Sequence, residues 1–234
     1  MGLRAAFFDV GDTLVEHWLP AHELHPIIRR DLVAAFGERE WLDALIAADL
    51  RPAEREPRRQ ETNRWYEQWF AAQGIACDVE IDRLRSTFAG PLDLVSTPVP
   101  GAADAVRWCK DQGLRVVLVT NTLSRGDAEV LRDWERAGLA DAIDAVVSSH
   151  DAGWEKPHPL IYRRALDLAG AEAGEAFMVG DDPACDVRGA QALGLRAIWR
   201  RTAHHELPAD LHPDAILDHL DELRQIVGPW LRAP

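Results

Sequence analysis

Five short apolar runs, with helical stretches between the later ones, constrain this chain more than any other feature. They are AAFFDV (5–10), LRVVLVT (114–120), IDAVVSS (143–149), AFMVGD (176–181) and LRAIWR (195–200). Each has strand length and is rich in β-branched or aromatic residues. Apolar positions at helical spacing fill 102–112, 125–137, 159–169 and 185–193. Gly113, Gly138, Gly170 and Gly194 stand just past those stretches, where a helix C-terminus favours glycine. Strands that alternate with helices pair in parallel and need helices over both faces of the sheet. The expected fold class is α/β, with a doubly wound parallel sheet.

Residues 17–97 break that rhythm. They are rich in Ala, Leu, Glu and Arg, with apolar positions at helical spacing, as in IIRRDLVAAF and RWYEQWFAAQ. Pro98-Val99-Pro100-Gly101 closes the region and reads as a linker. A helical module (17–97) is therefore expected to interrupt an α/β core made of 1–16 and 98–234. Trp18, Trp41, Trp65 and Trp69 all fall in the module, where packing between helices explains them better than a ring-binding surface.

Composition narrows the function class. Apolar residues make up 47% of the 234, enough for a real core. A net charge of −13 without a basic patch argues against nucleic acid and anionic membrane surfaces as partners. The N-terminus turns acidic too early for a signal peptide, and no apolar run is long enough to span a bilayer, so a cytoplasmic location is expected. Cys77, Cys109 and Cys185 are odd in number and scattered, which argues against a disulfide framework or a zinc site. Only two of 26 basic residues are lysines, Lys110 and Lys156.

In an open parallel sheet, ligands bind outside the carboxyl ends of the strands. The first run ends on Asp9, with Asp12 in the turn that follows. The second ends at Thr120-Asn121, and the fourth at Asp181-Asp182, with Asp186 beyond. Lys156 lies past the third. A single strand-end Asp is usually a turn former, and Asp9 alone could be that, a metal ligand or a nucleophile. Several acids with a lone lysine and a hydroxyl at one crevice need a joint explanation. His204-His205 sit in a polar stretch and read as solvent-exposed; His17 and His22 stand at the junction of the helical module; Lys110 reads as solvated.

FFDVGDTL (7–14), LVTNT (118–122), EKPHP (155–159) and VGDDPACDVRGA (179–190), in that order, resemble the four motifs of the haloacid dehalogenase-like hydrolase superfamily. The resemblance covers essentially the whole chain. It implies a Rossmann-like core with an inserted all-α cap, and places the motif I strand between those of motifs II and IV. It implies Asp9 as nucleophile, forming an aspartyl-phosphate that splits one hard step into two. Asp9, Asp181, Asp186 and the Gly11 backbone carbonyl become the expected magnesium ligands, because a hard cation takes oxygen donors. Asp182 is an alternative ligand, and Asp186 could also cap the helix of motif IV. Thr120 and the Asn121 backbone are expected to donate to a phosphoryl group, and Lys156 to sit as a compact charge between that group and Asp9.

One position departs from the pattern. Phosphatases of this family carry a second Asp two residues after the nucleophile, as general acid and base. Here that position is Gly11, and the acid comes one place later, at Asp12, a possible substitute. The leading expectation is a magnesium-dependent phosphatase of small phosphorylated metabolites, acting as monomer or homodimer. The alternatives are a dehalogenase-type hydrolase, against which the intact Asp181 and Asp186 count, and a non-catalytic binding protein. Residues 17–97 contain no lysine, which excludes a cap-lysine Schiff base. The cap is expected to pivot near Val15-Glu16 and Val99-Pro100 and to select the substrate.

Overall fold

A computed structural model describes residues 2–16, 21–48, 62–89, 97–122, 125–136 and 138–232. Six strands form one sheet: β1 (Ala5–Phe8), β4 (Arg115–Thr120), β5 (Ala145–Ser148), β6 (Ala176–Gly180), β7 (Arg196–Arg200) and β8 (Ala215–Leu217). Every pairing is parallel, and the order across the sheet is β5-β4-β1-β6-β7-β8. From β1 the chain steps outward through β4 to β5, then returns to the other side of β1 for β6, β7 and β8. The direction reverses beside β1, so the crevice expected to take a ligand opens at its carboxyl end.

The runs are continuously apolar because both faces of the sheet are covered. Phe8, Leu118, Val179 and Ile198 pack on one side with α5 (Ala102–Asp111), α6 (Asp127–Arg136) and α10 (Leu223–Arg232). Phe7, Val117, Met178 and Trp199 pack on the other with α8 (Pro159–Ala169) and α9 (Gly189–Gln191); α7 is the short turn Ser149–Ala152 after β5. Alternate residues of one strand thus feed two separate cores. Removing a side chain such as Phe8, which is wholly buried, would cost about 3–5 kcal/mol. The four glycines expected at helix ends all have positive φ, from 61° to 90°. Strand β8 and helix α10 carry no alternation or cap that marks them in the sequence. They close the sheet edge and cover Phe177 with Trp230, whose rings meet edge to face at 6.2 Å.

Between β1 and β4 lies the helical region: α1 (Ala21–Phe36), α2 (Leu42–Ala47), α3 (Thr62–Gln73) and α4 (Ile81–Ala89). It has its own apolar cluster, with Ile28, Leu32, Leu45, Tyr66 and Leu84 buried around Phe70. Trp41 and Trp69 each meet the Phe70 ring edge-on at 5.1 Å, so these two tryptophans are packing residues. His17 and Trp18 lie outside the described residues, as do the side chains of His22 and Trp65. The stretch read as a linker is more ordered than that. β3 (Thr97–Pro98) pairs antiparallel with β2 (Val15–Glu16), and the Val99 amide donates to the Leu14 carbonyl at 2.9 Å. Farther out, α4 touches the α/β part at Glu129, which accepts from Ser86 Oγ at 3.2 Å and lies 3.8 Å from Arg85 Nη2. Among the described residues no helix is long and apolar enough to cross a membrane.

Candidate active site

The Asp9 amide donates to the Val179 carbonyl at 2.9 Å, carrying the β1–β6 ladder one residue past the strand. That places the Asp9 carboxylate at the rim of the crevice. A tight turn follows. The Val10 carbonyl accepts from Leu14 and Val15 at 2.9 and 3.0 Å, and the Asp12 amide donates to Val15 O at 2.8 Å. The turn folds Thr13 back under the site, where its hydroxyl lies 3.2 Å from Asp9 Oδ2 and 3.4 Å from Asp181 Oδ1. Thr13 is fully buried, and the sequence reading did not single it out. In this turn the residue with positive φ is Asp12, at 51°.

Lys156 is 2% exposed, and its ammonium reaches both Asp9 Oδ1 and Asp186 Oδ1 at 2.6 Å. Its backbone is held as tightly. Asn121 accepts from the Lys156 amide at 2.8 Å and donates through Nδ2 to the Lys156 carbonyl at 3.1 Å. The Asn121 side chain is thus spent on fixing Lys156, which leaves only its backbone amide for a phosphoryl group. Thr120, nearly buried, ends β4 opposite Ser148 and faces the same crevice end.

The motif IV segment is a π-helical turn (Pro183–Arg188) that runs into α9. Its N-cap is Asp182, whose carboxylate accepts from the amides of Ala184 and Cys185 at 2.9 and 3.0 Å. This corrects the reading of Asp186 as the cap and commits Asp182 to a local role. Asp186 instead turns inward over Gly180. A Cβ on Gly180 would lie 2.2 Å from its carboxyl carbon, so only glycine leaves room. The second Asp186 oxygen accepts from the Asp182 amide at 3.0 Å. Tyr162 supports the turn from below by donating to the Cys185 carbonyl.

Two carboxylates, Asp9 and Asp186, therefore grip one buried ammonium, with the third, Asp181, beside them. Burial, then the charges of Asp9 and Asp186, push Asp181 up to about 8. Burial pushes Asp186 up to about 7 against the pull of Lys156. Burial alone would lower the Lys156 pKa, but Asp186 and Asp9 outweigh it and raise it, so the lysine stays charged. Fully ionised, the three acids would outnumber the one lysine, and a cation would offset that surplus. Oxygens of Asp9, Asp181 and Asp186 lie within 4.8 Å of one another, and an anionic all-oxygen set suits a hard divalent ion such as magnesium. His205 is less remote than its polar loop suggested: Nε2 lies 3.6 Å from Asp181 Oδ2. Lys110 is not merely solvated but pairs with Asp144 at 2.5 Å, far from the crevice.

The match of a haloacid dehalogenase-like hydrolase family model to residues 3–194 agrees with this arrangement. The chain belongs to the haloacid dehalogenase-like hydrolases. It is 30% identical over 159 residues to pyrimidine 5'-nucleotidase YjjG of Escherichia coli, across 68% of this chain and 69% of that protein. To phosphoserine phosphatase of Thermus thermophilus it is 35% identical over 124 residues, 53% of this chain and 49% of the relative. A solved HAD phosphatase from Thermococcus onnurineus superposes with a TM-score of 0.62 at 23% identity, over 97% of this chain and 98% of that one. A 2-haloacid dehalogenase from Pseudomonas syringae superposes equally well, at 0.63 and 23%, over 97% and 99%, so the fold is common to both chemistries.

Proposed function

We propose that this hydrolase is a magnesium-dependent phosphatase of small phosphorylated metabolites, acting through an aspartyl-phosphate on Asp9. One observation carries the reading: Lys156 bridges the carboxylates of Asp9 and Asp186, and these two stand with Asp181 close enough to share a cation. A dehalogenase that works without metal has no use for a costly cluster of buried acids. The named phosphatases and nucleotidase among the relatives support the same substrate class.

Asp9 attacks phosphorus, the new O–P bond forms, and the bond to the leaving oxygen breaks. Lys156 orients Asp9 and offsets charge on the phosphoryl oxygens, while Thr120 and the Asn121 amide donate to them. Thr13 holds the other Asp9 oxygen. Water then attacks phosphorus and releases inorganic phosphate and free Asp9. With Gly11 in the acid's place, the leaving oxygen departs without a well-placed proton and takes one from solvent, and Asp12 is the first candidate to replace the missing acid and base. Asp9, Asp181, Asp186 and the Gly11 carbonyl would hold the magnesium, which would offset the charge of the transferring group. Helices α1–α4 form a cap that pivots on the β2–β3 pair, excludes water and selects the substrate. We place the protein in the cytoplasm, as monomer or homodimer.

The test is hydrolysis of an aryl phosphate with magnesium or with excess chelator, in the native protein and in Asp9→Asn. Activity should require the metal and vanish in the variant, and beryllium fluoride should mark Asp9. Full activity in chelator, or chloride release from a 2-haloacid, would move the protein to the dehalogenase class. No turnover of any phosphate would leave a binding protein.

A further inference from the structure

Two consecutive residues at the end of β7 grip the two turns that carry the acids. The Trp199 indole donates from Nε1 to the Asp181 carbonyl at 2.7 Å. Arg200, 6% exposed and paired in the sheet with Leu217, donates from Nη1 to the Asp12 carbonyl. Successive side chains of a strand point to opposite faces. Trp199 accordingly lies with the α8 core, and Arg200 lies on the face where Val10, Leu14 and Val15 pack. A buried guanidinium is costly unless its donors are satisfied, so its placement against a backbone carbonyl of the turn needs a reason.

Asp12 provides it. A left-handed φ costs free energy for a residue with a side chain, less for Asp than for most, and is held in place by what fixes the turn around it. Here both backbone polar groups of Asp12 are held, the amide by Val15 O and the carbonyl by Arg200. The peptide after Asp12 leads straight into Thr13, whose hydroxyl sits on Asp9 and Asp181. A relaxed Asp12 would rotate that peptide and swing Thr13 off the carboxylates.

We propose that Arg200 is a positioning residue: by holding the Asp12 carbonyl it locks the left-handed turn that aims Thr13 at Asp9. The kinetic part of this proposal rests on the phosphatase reading; the conformational part does not. Arg200→Met keeps the length and removes charge and donors, while Arg200→Lys keeps a charge and a donor. In Arg200→Met, amide exchange at Thr13, Leu14 and Val15 should rise about 5- to 30-fold, the population factor of one left-handed residue, while β1 and β6 stay protected. With an aryl phosphate and saturating magnesium, kcat should fall about 10- to 100-fold with little change in KM, and Arg200→Lys should restore most of both readouts. In an Asp12→Gly background the left-handed turn no longer strains, so Arg200→Met should there raise exchange far less. Should Arg200→Met fail to fold, Arg200→Gln takes its place in the same comparison. Native exchange in the single variant, or an equal rise in both backgrounds, would overturn the proposal. An inactive native protein would undo the phosphatase reading and leave the exchange comparison to decide the clamp.

Discussion

Asp12 takes the left-handed conformation, and the glycine that could adopt it without strain stands one place earlier, at Gly11. Exchanging the two, Gly11→Asp with Asp12→Gly, gives the positive φ to glycine and puts an acid two residues after Asp9. The double variant should be the more stable protein and should hydrolyse alkyl phosphates about 10-fold faster or more, with little gain on aryl phosphates, which leave readily without a proton. The native enzyme should lose rate steeply as the leaving-group pKa rises. A flat native profile that stays flat in Asp12→Asn would remove Asp12 from the chemistry. The acids also set a pH signature. Asp181 and Asp186 have folded pKa values raised to about 8 and about 7. Their protons are bound more tightly in the folded than in the unfolded chain. The stability they contribute is complete below the ordinary carboxylate range and is lost as pH rises through 7 to 8. Magnesium needs the ionised forms, so its binding should release about one proton near neutral pH and should raise Tm more in mildly alkaline than in mildly acidic buffer. Calorimetry in two buffers of different ionisation enthalpy reads this directly, and binding without proton release would contradict it.

At the scale of elements, the π-helical turn after β6 is what brings Asp186 over the sheet, and Gly180 makes the room. Gly180→Ala should therefore remove magnesium binding and turnover together, since the methyl group and the Asp186 carboxyl cannot both fit. A fully active Gly180→Ala would mean that the turn can shift without harm. Asp182→Ala removes the N-cap of that turn and should cost about 0.5–2 kcal/mol in a denaturant titration. Its effect on kcat should be small, because the Asp182 amide, not its side chain, holds Asp186. A loss of activity as complete as in Asp9→Asn would instead make Asp182 a ligand.

Across the molecule, among the described residues, the apolar cluster of α1–α4 shares no residue with the two that flank the sheet. Phe70 lies at its centre, 1% exposed, between Trp41 and Trp69. Phe70→Ala should cost about 3–5 kcal/mol locally. If the helices are a separate cap, hydrogen exchange should rise across α1–α4 while β1, β4 and β6 keep native protection. A uniform rise through the sheet would show one cooperative unit instead. The β2–β3 pair joins the two parts near β1, and Glu129 meets Arg85 and Ser86 beyond β4.

The strands, the helices between them and the acids at their ends were legible in the sequence, because each rests on a pattern a few residues long. Period, a glycine past a helix and a carboxylate at a strand end are local facts. So is the replacement of an acid by Gly11, and so is the change to helical spacing after residue 17. The rest joins residues far apart in the chain. Lys156 meets Asp9 across 147 positions, Thr13 meets Asp181 across 168, and Arg200 meets the Asp12 carbonyl across 188. Nothing near Arg200 or His205 in sequence marks them, since any exposed loop or strand end carries such residues. Which of Asp182 and Asp186 caps the turn, which way Asn121 points and which residue bears the positive φ were likewise decided by packing. A side chain takes the partner that the closed sheet brings within reach, and that distance exists only after the strands have paired.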